Sequence, residues 1–95
     1  MLKVFRFQVR PGVDDAEFEE ADRRVQIEFA YRQPGLVRRT TARGTDDRWI
    51  VIEIWRSVDD ADACARERPG DPATAAFLSL MVEGSLRTER YQELD

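Results

Sequence analysis

The segment from Arg48 to Arg56 constrains this chain more than any other. Ile50, Ile52 and Ile54 alternate there with Trp49, Val51, Glu53 and Trp55. Successive side chains of a strand point to opposite faces, so both faces of this one are mostly apolar. Such a strand belongs in the middle of a sheet, covered on both sides. The rest of the chain must therefore supply flanking strands and two covers.

The flanking sequence reads in that way. Leu2 to Val9 alternates as a strand, with Phe5, Phe7 and Val9 on one face and Val4, Arg6 and Gln8 on the other. Pro11-Gly12 ends it, and Asp14 with Glu17 three residues later forms a capping-box helix start. Phe18, Ala21, Val25 and Phe29 then form one apolar stripe of a helix about 17 residues long. Its opposite face, with Asp15, Glu19, Glu20 and Asp22, reads as a solvated surface. Gln33-Pro34-Gly35 closes the helix, Leu36 to Arg43 reads as a second strand, and Gly44 to Asp47 as a turn. After the central strand, Ser57 and Asp60 cap a helix with a thin apolar face of Ala61, Cys64 and Ala65. Pro69-Gly70 interrupts that helix, and Asp71-Pro72 restarts one with Ala73, Phe77, Leu80 and Met81 as its stripe and Gly84 as its C-cap. Ser85 to Leu94 is a charged, alternating last strand.

The order is β-α-β-β-α-β, within a length of 95 residues that suits one domain, 1–95. It predicts an α+β, ferredoxin-like split βαβ fold: a four-stranded antiparallel sheet with the helices on one face. The second face is expected to carry Trp49, Val51 and Trp55, with Phe5, Phe7 and Val9 beside them. An apolar patch of that size marks an interface, and two copies related by a two-fold axis cover each other. A homodimer is therefore expected.

Composition acts here by exclusion. The chain has no histidine, so histidine-ligated zinc, Ser-His-Asp and Cys-His catalysis and proximal-histidine haem are excluded. Cys64 is the only cysteine, which leaves no internal disulfide, and no metal-ligand cluster is expected. Fifteen basic residues face 19 acidic ones, for a net charge of −4, a poor balance for nucleic-acid binding. Arg38, Arg39, Arg43 and Arg48 form a local basic run, but no aromatic platform accompanies them. No apolar run is long enough for a membrane span, and the N-terminal residues do not read as a signal peptide. The expected location is the cytoplasm.

Several short motifs together resemble one family. They are Phe7 through Pro11-Gly12 leading into the first helix, Pro34-Gly35-Leu36 opening the second strand, and Glu53-Ile54-Trp55-Arg56-Ser57 running into the Ala-rich second helix. Over nearly its whole length the chain resembles the dimeric α/β-barrel superfamily, and within it the antibiotic-biosynthesis monooxygenase (ABM) type. The resemblance implies a homodimer with a cavity in each subunit between sheet and helices. It also implies oxidation of a hydroxyaromatic or quinol by molecular oxygen, without metal or flavin. Some members of the superfamily degrade haem, but the missing histidine around Cys64 to Pro69 argues against that here.

Cofactor-free oxygenation needs a base, a stabiliser for the substrate anion and a dry pocket. Glu53, between Val51 and Trp55, is the candidate base; alternatively it pairs with Arg6, Arg38 or Arg39. Trp55 is the candidate stacking or hydrogen-bonding group, or else dimer core. Arg38 and Arg39 occupy opposite faces of their strand, so one points inward; Arg39 is taken as the candidate anion stabiliser. Phe29, Phe77 and Met81 are expected to line a pocket for a small aromatic ligand, with Tyr31 and Tyr91 as hydrogen-bond donors to it. Cys64 reads as inert core, and the Pro69-Gly70 break reads either as an opening over the cavity or as a plain connection. Two other readings use the same scaffold: a proton-transfer isomerase or cyclase, and a non-catalytic dimer that binds a small molecule or serves a structural role.

Overall fold

The structure is a computed structural model that describes all 95 residues. Four strands, β1 (Leu2–Gln8), β2 (Leu36–Arg43), β3 (Arg48–Trp55) and β4 (Arg87–Tyr91), form one antiparallel sheet in the order β2-β3-β1-β4. Helices α1 (Asp15–Glu28), α2 (Val58–Glu67) and α3 (Pro72–Leu78) cover one face. This is the ferredoxin-like α+β arrangement that the element order predicts, with β3 in the interior of the sheet.

Local chemistry sets the element ends. Asp14 accepts from the Glu17 N–H at 2.8 Å, Ser57 from the Asp60 N–H at 3.1 Å, and Asp71 from the Thr74 N–H at 2.7 Å. Each cap satisfies one of the N–H groups that a helix start leaves without a partner. The β2–β3 turn places Asp46 and Asp47 at φ 56° and 57°, the left-handed pair that a tight hairpin requires. α1 is shorter than the periodicity suggests, because the chain tightens into a 3₁₀ turn at Ala30–Arg32. A second 3₁₀ turn, Arg68–Gly70, separates α2 from α3 where Pro69 interrupts the helix.

The core lies between sheet and helices. Phe7 and Val51 from the sheet meet Phe18 and Val25 from α1 and Ala73 and Phe77 from α3. Phe18 stacks at 4.3 Å on Trp49 and 5.3 Å from Phe77, ring centre to ring centre. A second cluster gathers Phe29, Trp55, Ala61 and Cys64.

One sequence expectation is overturned. Trp49, Val51 and Trp55, with Phe5, Phe7 and Val9, lie beneath the helices and not on the open face. Register explains it: Val51 pairs with Phe5 and Trp49 with Phe7, so these rows share one side. The open side instead carries Ile50, Ile52 and Ile54, with Leu2 and Val4 on β1 opposite them. Alternation identifies two apolar faces but not which of them the helices choose.

Gly35 supplies a test of the packing between the start of β2 and α2. It sits at φ 84°, and a Cβ there would collide with the side chain of Asp60 in the first turn of α2. Gly12 has a similar φ of 91° but open space around it. Gly12→Ala is expected to cost about 1 kcal/mol, from backbone strain alone. Gly35→Ala should cost at least twice that, and urea denaturation of the two variants measures the difference.

Candidate active site

Four charged side chains are built into the interior at adjacent positions. Glu53 on β3 stands opposite Lys3 on β1 and Arg39 on β2, all on the helix-covered side. Arg68 enters from the turn that follows α2. Glu53 is 1% exposed, Arg39 5% and Lys3 6%. A buried charge of this kind persists only where partners replace water.

Arg68 is the partner of Glu53. Its Nη2 donates to the two carboxylate oxygens at 3.0 and 3.1 Å, and the Trp55 indole N–H donates to Oε1 at 3.2 Å. The Arg68 guanidinium also lies 5.0 Å from the Phe5 ring centre and 5.6 Å from that of Phe29, so it joins the two core clusters. Arg39 is anchored separately. Its Nη2 meets Asp22 Oδ1 of α1 at 2.8 Å, and the same oxygen accepts from Thr41 Oγ1 at 2.7 Å. Its guanidinium carbon lies 5.7 Å from the Phe77 ring centre.

The two guanidiniums are only partly satisfied. Arg39 Nε and Nη1 and Arg68 Nε are buried without a hydrogen-bond partner. Both residues line a cavity of about 100 Å³ whose apolar wall includes Phe5, Phe7, Val51, Phe77 and Met81. Leu78 is the exposed member of the lining, at 43%, and marks the opening. No aspartate, glutamate or tyrosine lines this cavity. A larger depression of about 450 Å³ on the open side of the sheet is lined by Arg6, Arg48 and Arg87, but it is a shallow surface feature.

Burial shifts two groups nearby. The Lys3 amine is held below its ordinary value of 10.5, first by burial and then by the charge of Arg68. It lies 5.3 Å from the Phe5 ring centre. The Cys64 thiol is pushed above its ordinary value by burial, which keeps it a neutral core group.

Of the residues the sequence proposes, Arg39, Phe77 and Met81 line the cavity. Arg38 pairs with Ile54 and faces the open side. Glu53 lies behind Arg68, with its carboxylate engaged by that guanidinium and not by Arg6, Arg38 or Arg39. Trp55 and Phe29 belong to the neighbouring cluster. The Tyr31 hydroxyl spans the free edge of β2, accepting from Arg39 N at 3.0 Å and donating to Arg39 O at 3.2 Å. The Tyr91 hydroxyl donates to Glu89 at 2.7 Å on the open side. Neither tyrosine reaches the cavity.

Sequence reasoning missed Arg68 and Lys3. Arg68 follows Ala61 and Cys64 at spacings of three and four, which places it on the buried stripe of α2. Lys3 shares the face of Phe5 and Phe7 by simple alternation.

No protein-family model matches the sequence, and no curated protein matches it. Solved structures do. SnoaB from Streptomyces nogalater, a cofactor-independent oxygenase, is 28% identical with a TM-score of 0.75, over 98% of this chain and 94% of that one. Its N63A variant gives 26% identity and a TM-score of 0.80, over 99% and 92%. A Nitrosomonas europaea protein described as a candidate antibiotic biosynthesis monooxygenase gives 21% and 0.73, over 99% and 98%. The chain thus shares its fold with solved structures of the ABM type that its motifs resemble.

Two variants test the charge cluster. Glu53→Gln leaves Arg68 and Lys3 without their counter-charge and is expected to cost about 3–5 kcal/mol in urea denaturation. Lys3→Met removes a desolvated cation and should stabilise the fold by about 1 kcal/mol, or roughly 4–8 °C in Tm. The unfolded chain holds the Lys3 proton more tightly than the folded one. The cost of burying Lys3 is therefore full at neutral pH and fades as the pH climbs toward 10.5. The gain from Lys3→Met should shrink over the same range in Tm–pH profiles.

Proposed function

We propose that this chain is a cofactor-independent monooxygenase of a small hydroxyaromatic or quinol, acting as a homodimer. The observation that carries the reading is a pair of guanidiniums, one buried and one part-buried, that keep unused donors and belong to residues lining a mostly apolar cavity. Such donors stabilise an oxyanion that is absent until a phenol loses its proton. The 26–28% identity to SnoaB over nearly the whole chain supports the same chemistry.

In this mechanism Arg39 and Arg68 lower the pKa of a bound phenol, so that it binds as the phenolate. The cavity wall has no carboxylate to act as base, and the proton leaves to solvent past Leu78. The electron-rich phenolate then gives an electron to dioxygen, and the radical pair recombines at a ring carbon. For a hydroquinone the balance is one substrate and one O₂ giving one hydroxyquinone and one water. All four electrons come from the substrate. Glu53 is a positioning residue: with the Trp55 N–H it fixes the guanidinium of Arg68. Tyr31 plays the same part for Arg39 through the strand backbone.

The lack of a cavity carboxylate weighs against the isomerase or cyclase reading, which needs a base that can return its proton. The unused guanidinium donors weigh against a purely structural dimer.

Oxygen uptake with simple hydroquinones, on protein stripped by chelator and gel filtration, tests the reaction. Arg39→Met should lower kcat by about 100-fold, the scale of one lost oxyanion donor. No uptake above the protein-free rate with any hydroquinone or naphthol would remove the reading.

The dimer rests on the isoleucine face. Ile50, Ile52 and Ile54 form an apolar row that no helix of the same chain covers, and a second sheet packed on it removes that row from water. Sedimentation velocity should show a dimer, with Ile52→Asp shifted to monomer. A monomeric parent chain would contradict the pairing.

A further inference from the structure

We infer that the outer edge of β2 is a strand-pairing surface for the same edge of a second copy, and that the Tyr31 hydroxyl holds it shut. This surface is distinct from the isoleucine face, and the inference does not depend on the proposed reaction.

The sheet order β2-β3-β1-β4 leaves two open edges. An open edge offers a row of N–H and C=O groups to any extended chain that reaches it. β4 is a poor template, five residues long with Arg87, Glu89 and Arg90 among them. β2 is eight residues long. Its backbone groups divide by alternation. The Gly44 N–H donates inward to the Arg48 carbonyl at 2.6 Å. The Arg39 N–H and C=O point the other way, because the Tyr31 hydroxyl engages both. Thr41 and Arg43 follow Arg39 at alternate positions, so their backbone groups point outward as well.

These three residues are self-complementary. A two-fold axis at Thr41 sets Thr41 opposite its own copy and Arg39 opposite the partner's Arg43. Each opposed pair would exchange two hydrogen bonds. Tyr31 occupies the Arg39 groups in each copy, so both outer pairs are lost and only the central one remains. A single pair is too little to hold two strands together in water.

Nothing else on β2 closes the edge. Arg39 and Arg43 would meet across the axis, but Asp22 holds Arg39 at 2.8 Å and Asp15 holds Arg43 at 2.5 Å. The bulge at Val37 disturbs only the start of the strand, and the register runs regularly from Arg38 to Arg43. Tyr31 reaches the edge from the 3₁₀ turn Ala30–Arg32, which the buried Ala30 anchors. It is 47% exposed, so its hydroxyl meets the strand at the surface. A hydroxyl that accepts from and donates to one residue imitates the bonding of a neighbouring strand.

Amide hydrogen exchange and sedimentation velocity test the inference. In the parent chain, in dilute solution, the Arg39 amide should exchange at least about fivefold slower than those of Thr41 and Arg43, each relative to its intrinsic rate. That is the factor one net hydrogen bond supplies. Tyr31→Phe keeps the ring and should bring Arg39 level with the other two. Tyr31→Ala clears the ring as well. At raised concentration it should associate one step beyond the parent, from monomer to dimer or from dimer to tetramer, with all three amides slowing together. Adding Thr41→Pro removes the central N–H and should return Tyr31→Ala to the parent's state. Should Tyr31→Ala fail to fold, Tyr31→Phe is taken to raised concentration in its place. An Arg39 amide as fast as its two neighbours in the parent overturns the inference. So does an opened variant that keeps the parent's state at every concentration, or one whose association Thr41→Pro leaves unchanged.

Discussion

A carboxylate with almost no access to water organises this protein. Glu53 is held by one guanidinium and one indole N–H and stands between a buried lysine and a second buried arginine. Two buried guanidiniums in one small core repel each other unless an anion sits among them. Remove Glu53 and Arg68 has no reason to fold inward from the turn after α2. Arg68 in turn packs on Phe5 and Phe29, so the contact between the two hydrophobic clusters runs through a charged residue. Arg39 and Arg68 both line the cavity between sheet and helices, and both keep donors without partners.

Under the proposed function, that arrangement separates charge neutralisation from substrate binding. The carboxylate does the structural work of neutralising one arginine, and so it does not compete for the substrate's proton. Arg39 and Arg68, which keep buried donors without partners, are among the residues that line the cavity. Asp22 plays the corresponding part for Arg39, tying it and Thr41 to α1. The site is thus assembled from β1, β2, β3, α1, α3 and the turn before α3. Its precision depends on helix packing more than on any loop.

Much of the fold was legible in the sequence and part of the site was not. The capping residues Asp14, Ser57 and Asp71, the doubly apolar β3 and the Pro69 break all carry local signals, and each element formed where its signal lay. The choice of covered face is a tertiary matter, and there the tryptophans were assigned to the wrong side. The orientation of Arg39 shows why. Leu36 faces the helices, so strict alternation would bring Arg38 inward. A bulge at Val37 shifts the register by one residue and brings Arg39 inward opposite Glu53 instead. Nothing in Leu36-Val37-Arg38-Arg39 announces that bulge. The last strand likewise read longer than it is, because charged alternation continues past Tyr91 where no neighbouring strand remains to pair with it.

The central claim is that the cavity selects an oxyanion through arginines and without a base. It is tested most directly by the ionisation state of a bound phenol. 4-Hydroxyacetophenone is suitable, because its phenolate absorbs beyond the protein's own aromatic band. Difference spectra under nitrogen at about pH 6, where the free phenol is neutral, should show the phenolate band growing with saturation and vanishing in Arg39→Met. A saturable complex with the spectrum of the neutral phenol would contradict the account.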